Sequence, residues 1–156
     1  MNNGIVGPTN SGTDRIVDLQ MRSGRLFGLR PDGSVIVPYP EDRLPEAVYT
    51  RISAGNSEFC GLRDDRVLVC RRQALPIALA SQHFIDLAVD YWGGLCALRE
   101  DQTLVCDAMD SGVNFGTPPA GKFTRIEALS RGMCGIRVDG SIACFGATEV
   151  VVPAGW

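Results

Sequence analysis

The chain has 156 residues, 45% of them hydrophobic, which is enough to bury one real core and is most simply a single domain over residues 1–156. A net charge of -3 with a pI near 5.1 argues against binding a nucleic-acid backbone, which needs a basic face. No run of eighteen apolar residues is present to span a membrane, and no stretch of ten or more residues sustains a helical period, while Gly (18) and Pro (9) are frequent, so the class is all-β.

Met1 to Asp14 is a polar, Gly-rich lead-in with neither a positive n-region nor an apolar h-region, so the chain as given carries no secretory signal. A first repeat, about residues 15–47, opens at Ile16-Val17-Asp18-Leu19, crosses the loop Arg22–Arg25 and enters FGLRPDGSVIV, Phe27 to Val37. Tyr39, Pro40 and Pro45 make the connection to the second, about 48–82, which opens at Tyr49-Thr50-Arg51-Ile52 and runs through the loop Gly55–Glu58 into CGLRDDRVLVC, Cys60 to Cys70. The third, about 83–121, opens at Phe84-Ile85-Asp86-Leu87, carries one extra residue in the loop Asp90–Gly94, and continues as CALREDQTLVC, Cys96 to Cys106. The fourth, about 122–156, opens at Phe123-Thr124-Arg125-Ile126 and continues as CGIRVDGSIAC, Cys134 to Cys144. The final Val150 to Trp156 matches a lead-in with no repeat after it, and its strand needs a partner, either the start of this chain or that of a neighbour, because a bare apolar edge invites association.

Each copy reads as a hairpin. An apolar run ends in Arg30, Arg63, Arg99 or Arg137, and three loop residues follow with Asp32, Asp65, Asp101 or Asp139 in the middle. Gly33 and Gly140 stand third in two of these loops, the pattern of a type I turn closed by a left-handed residue. Arg66 and Gln102 take that place in the other two, so those turns are expected to be slightly strained. With this turn Leu62 faces Leu68, Gly61 faces Val69 and Cys60 faces Cys70 at a non-hydrogen-bonded pair, where side chains come closest. The expected bridges are therefore Cys60–Cys70, Cys96–Cys106 and Cys134–Cys144, one of the fifteen pairings six cysteines allow. Three matched pairs point to an oxidising compartment, secreted or extracellular, with reduced thiols buried as core material in a cytosol as the alternative, and a removed leader would reconcile the first reading with the lead-in.

The repeat period is 33, then 36, then 38 residues, room for three short strands per unit. Periods of this size with hairpins and Gly turns mean a propeller or a solenoid of sheets. Both faces of the hairpin are apolar or small (Leu62, Leu68 and the cysteines on one, Gly61 and Val69 on the other), as in sheets stacked on neighbours like blades. The shared phrase, aromatic-T-R-I followed by C-G-[LI]-R-x-D-G-x-[VI]-x-C, resembles the regulator of chromosome condensation type of repeat, in particular short cysteine-bearing bacterial versions, and the three-stranded blades of the propeller that inhibits β-lactamases. The resemblance covers Ile16 to about Gly146 and implies a propeller. It spans too many activities, from exchange factor to enzyme inhibitor to light sensor, to imply one function. Such relatives usually carry seven blades, and this chain has four. Four could close a small ring, form an arc that pairs with a second copy as an eight-bladed homodimer, or be a piece of a longer protein.

No catalytic set can be assembled, and the chain is read as a non-enzyme without cofactor. His83, the one histidine, has no nucleophile pattern nearby and reads as a loop residue. The cysteines lie ten apart with no C-x-x-C and no flanking histidines, against structural zinc. No G-x-G-x-x-G or P-loop occurs. The turn aspartates resemble a ring of carboxylates, but Asp in a turn usually caps its own backbone. Binding remains, through the loops on one rim. Tyr91 and Trp92 are the sharpest candidates, with Asp90, Arg131, Asn56, Glu58 and Arg25 beside them on equivalent loops; the bland alternative is that Trp92 fills a gap between blades. A protein partner, as for an inhibitor or scaffold, is the favoured reading. A glycan-binding propeller is the alternative, weakened because only the third repeat places aromatics in this loop and a multivalent lectin would repeat them.

Overall fold

The computed structural model describes residues 15–56, 58–71, 75, 77–108 and 115–146. Its strands are β1 (Asp18–Arg22), β2 (Arg25–Leu29), β3 (Val35–Ile36), β4 (Tyr49–Ala54), β5 (Phe59–Arg63), β6 (Leu68–Cys70), β7 (Phe84–Val89), β8 (Leu95–Arg99), β9 (Leu104–Asp107), β10 (Phe123–Ala128), β11 (Gly132–Arg137) and β12 (Ile142–Gly146). They form four three-stranded antiparallel sheets, β1-β2-β3, β4-β5-β6, β7-β8-β9 and β10-β11-β12, one per repeat. A 3-10 turn at Pro40–Asp42 and a four-residue helix α1 at Ile77–Ala80 lie in the connections. The expected lead-in strand and the closing segment Val150 to Trp156 lie outside the described residues, as does Ser57 of the Gly55–Glu58 loop.

The turn residues dictate the hairpins. Gly33 and Gly140 sit at φ +79° and +86°, and Arg66 and Gln102 hold the same left-handed region at +67° and +68°, the strain their positions predict. Each closes on the arginine that begins the turn: the N–H of Gly33 donates to Arg30 at 3.0 Å, Arg66 to Arg63 at 3.0 Å, Gln102 to Arg99 at 2.9 Å and Gly140 to Arg137 at 2.9 Å. The turn aspartates cap their own loops, Asp32, Asp65, Asp101 and Asp139 accepting the N–H of Ser34, Val67, Thr103 and Ser141 at 2.9, 3.2, 2.9 and 2.8 Å. The four aspartates are thus separate turn caps, as their place in the loops predicts.

The register follows from those turns. Cys60 faces Cys70, Gly61 faces Val69 and Leu62 faces Leu68, and the disulfides Cys60–Cys70, Cys96–Cys106 and Cys134–Cys144 span Cα separations of 4.1, 4.0 and 4.0 Å. In the three later blades the first strand carries a bulge between its opening aromatic and the third residue, as between Tyr49 and Arg51. In blades 2 and 4 the intervening threonine bonds across to the hairpin, Thr50 to the Leu62 carbonyl and Thr124 to the Ile136 carbonyl, both at 3.2 Å.

The first strands β1, β4, β7 and β10 lie side by side in chain order, and three cores fill the spaces between successive blades. Phe27 and Leu29 of blade 1 meet Ile52, Ala54 and Phe59 of blade 2. Cys60, Leu62 and Leu68 meet Leu87, Val89 and Leu95 of blade 3. Cys96 and Leu98 meet Ile126 and Met133 of blade 4. Each blade therefore offers its disulfide face, or Phe27 in its place, to the front of the next. One backbone bond repeats at every junction: the opening aromatic donates to the preceding hairpin turn, Tyr49 to Gly33 at 2.9 Å, Phe84 to Arg66 at 3.0 Å and Phe123 to Gln102 at 2.9 Å.

Candidate functional site

The loops joining first and second strands gather on one rim: Arg22–Arg25, Gly55–Glu58, Asp90–Gly94 and the turn around Leu129–Arg131. A relay of bonds ties them together. Ser23 pairs with the Asn56 side chain, the Asn56 N–H donates to the Tyr91 carbonyl at 2.8 Å, and the Tyr91 N–H donates to the Leu129 carbonyl at 3.3 Å. Loops linked in this way present their side chains in a fixed relation, which lowers the entropy lost when a partner lands on them.

Asp90 builds the longest of these loops. Its carboxylate is buried, Oδ1 accepts the Gly94 N–H at 2.8 Å, and its own N–H donates to the Gly94 carbonyl at 2.8 Å. Burial pushes the Asp90 carboxyl above its ordinary value, opposed by the N–H groups of Gly94, Trp92 and Gly93 and, from further off, by Arg22. Gly94 is required here because the Phe115 ring lies against its Cα, where a Cβ would collide with it. The extra residue seen in the third repeat is spent on this closed loop, and the loop lifts the next two side chains outward.

Those side chains are Tyr91 and Trp92. Their rings meet edge to face at 5.5 Å between centroids, and the Arg131 guanidinium from the neighbouring blade lies over the Trp92 ring at 5.1 Å. Trp92 keeps 44% of its surface exposed, so it does not fill a gap between blades. Of the residues singled out from sequence, the fold brings Tyr91, Trp92 and Arg131 together above Asp90, with Asn56 bonded alongside.

Arg25 and Glu58 stand apart from that group, at the junction of blades 1 and 2. Glu58 is buried and accepts the Phe59 N–H at 3.0 Å. Arg25 pairs with Asp42 at 3.3 Å and lies 5.4 Å from the Tyr39 ring centre, and Arg71 closes on the same buried carboxylate. A small depression opens between Arg25, Asn56 and Glu58. Nothing in the sequence marks Asp42, since its two arginines come from 17 and 29 residues away.

A second feature not anticipated runs along the first strands. Asp18, Arg51, Asp86 and Arg125 occupy one register position, opposite Leu29, Leu62, Leu98 and Ile136. They alternate in sign from blade to blade; Arg51 reaches Asp18 at 3.7 Å and Asp86 at 2.9 Å, while Arg125 pairs with Glu127 two residues along its own strand at 2.6 Å. The signal was present in the third letter of each opening phrase, had the four letters been compared for charge. Exposed His83 joins neither group, and among the described residues no cluster of three or more His, Cys, Asp or Glu is placed to hold a metal.

No family model and no curated protein matches the chain. Among solved structures it is similar to the CRINKLY WD40 ectodomain of the Arabidopsis thaliana receptor kinase ACR4, with a TM-score of 0.67 and 19% identity over 86% of this chain and 51% of that one. It is also similar to the entire ectodomain of the Physcomitrella patens receptor kinase CR4, with a TM-score of 0.68 and 19% identity over 85% of this chain and 42% of that one. The chain spans about half the length of the structures it matches. At this level of identity the likeness concerns the fold, and together with the four three-stranded sheets it makes this chain a propeller of repeated blades.

Proposed function

We propose that this chain is a non-catalytic binding module that holds a protein partner on its loop rim, with Trp92 as the anchor and Tyr91 and Arg131 as its supports. The observation that carries the reading is the exposed Trp92, fixed between an aromatic edge and a guanidinium on a loop with a buried foundation. Aromatic and arginine side chains in a preorganised patch are the usual centres of protein interfaces. That the two solved neighbours are receptor ectodomains is in keeping with an interaction role, and with three disulfides it favours an extracellular setting. Among the described residues no helix is long and apolar enough to cross a membrane. The finer kinship, to repeats of the regulator of chromosome condensation type, rests on the opening phrase and the cysteine hairpin, and an inhibitor or scaffold is the role it suggests.

The test is a binding screen against displayed extracellular protein domains, run in parallel with a glycan array, using the wild type, Trp92→Ala and Arg131→Ala. A protein ligand whose affinity falls about 30-fold or more with Trp92→Ala supports the reading, since that is the scale of an interface hot spot. A protein ligand indifferent to both substitutions removes the rim patch from the account. Sugar binding lost with Trp92→Ala replaces it with a lectin.

A further inference from the structure

Among the described residues, the two end blades each leave half of an inter-blade contact uncovered. Leu19, Met21 and Leu26 on the front of blade 1 are 57%, 70% and 51% exposed, whereas their register equivalents in blade 2, Ile52, Ala54 and Phe59, are 1%, 0% and 2% exposed against the blade before them. On the back of blade 4, Ile136 is 41% exposed where its equivalents Leu29, Leu62 and Leu98 are 1%, 2% and 0%. Cys134 on that same face is half-buried, whereas its equivalents Cys60 and Cys96 are fully buried. The front of blade 1 and the back of blade 4 are the two sides of a contact this chain already makes three times.

From this we propose that two copies of the chain close one eight-bladed ring, the front of blade 1 in each copy seated on the back of blade 4 in the other. The apolar row fits by repetition, Ile136 covering the place at Leu19 and Met21 that Leu29 covers at Ile52 and Ala54. The charged row fits as well. Arg51 faces Asp86 of the next blade at 2.9 Å, and a second blade 1 placed after blade 4 sets Asp18 in the position next to Arg125, which within the chain pairs with Glu127 of its own strand at 2.6 Å. The alternation acid, base, acid, base then runs unbroken through eight blades. Both contacts are of one kind and related by a two-fold axis along the ring, so the assembly closes instead of growing.

Light scattering over a dilution series tests this, with intact disulfides and an unchanged circular dichroism spectrum as the check on folding. The wild type is expected at twice the chain mass of 16.8 kDa. Met21→Glu, on the front only, and Ile136→Glu, on the back only, should each reduce the mass to that of one chain. Mixing the two variants should restore the double mass at higher concentration, because one of the two contacts then carries no substitution on either side. A wild type with single-chain mass throughout overturns the proposal. So does a dimer that survives either variant alone, which would mean like faces meet, and so does a mass that climbs steadily with concentration, which would mean an open stack.

Discussion

Arg51 donates from Nε to Oδ1 of Asp86 across 2.9 Å, and Oδ2 of the same carboxylate accepts the Ile126 backbone N–H at 3.0 Å, so one side chain of blade 3 is gripped by blade 2 and blade 4. A single acid therefore couples three blades, and its loss should be felt beyond its own sheet.

Replacing Arg51 with Met leaves the Asp86 carboxylate buried without its cation. Removing one partner of a buried pair costs about 3–5 kcal/mol, and because Arg51 is partly solvated the expected loss is about 2 kcal/mol. The pH dependence identifies the cause. Burial raises the Asp86 carboxyl above its ordinary value of 3.8, and Arg51 is the largest influence holding it down. The folded chain already binds this proton more tightly than the unfolded chain, and without Arg51 it binds it more tightly still, so the variant's stability falls more steeply than the wild type's as pH rises above 3.8. Urea titrations of Arg51→Met at several pH values should show its deficit narrowing on acidification, and a deficit independent of pH would mean that lost packing alone explains it.

The hairpin turns predict a pair of opposite effects. Gln102 sits at φ +68°, so Gln102→Gly should stabilise by about 0.5–1 kcal/mol, relief of the left-handed strain being partly offset by the freer unfolded chain. Gly140 sits at φ +86° with open space around its Cα, so Gly140→Ala should destabilise by about 1 kcal/mol through backbone strain alone. Thermal melts of the two variants that move in the same direction would contradict this account of the turns.

The three disulfides close loops of equal length, each with a sequence separation of 10, so chain entropy assigns them nearly equal worth, about 3 kcal/mol. Packing separates them. Cys60 is fully buried in the core between blades 2 and 3, whereas its equivalent Cys134 on the end blade is half-buried, their partners Cys70 and Cys144 being half-buried alike. Changing both cysteines of a pair to Ala should thus cost about 1–2 kcal/mol more at 60 and 70 than at 134 and 144, measured on chains held at low concentration so that association does not contribute.

Most of the architecture was legible because it is local and repeated. A three-residue loop with Asp in the middle fixes the register, the register fixes which cysteines meet, and fourfold repetition makes stacking the way to bury two apolar faces. What was less legible depends on long-range placement. Asp42 is buried by arginines that no local pattern connects to it. Glu58 stands on a rim loop in sequence but turns inward to cap Phe59. Trp92 could be located but not oriented, because its exposure depends on Asp90 closing the loop beneath it and on Arg131 arriving from the next blade.

The turn aspartates carry the last prediction, on acid stability. Asp32, Asp101 and Asp139 are each held below the ordinary carboxyl value of 3.8, first by the side-chain hydroxyl of Ser34, Thr103 or Ser141 and then by that residue's backbone N–H. The unfolded chain binds these protons more tightly, so the three caps contribute stability that is present above 3.8 and lost as pH falls through the lower folded values. Asp86 and Asp90 pull the other way, their carboxyls being raised by burial. Comparing the wild type with the triple variant Asp32→Asn, Asp101→Asn, Asp139→Asn cancels that opposing contribution, because both chains retain Asp86 and Asp90. Asn keeps an oxygen to accept the backbone N–H but does not titrate, so the wild type should lose more of its melting temperature than the variant between about pH 5 and pH 2. Parallel melting curves across that range would show that the caps act through geometry and not through charge.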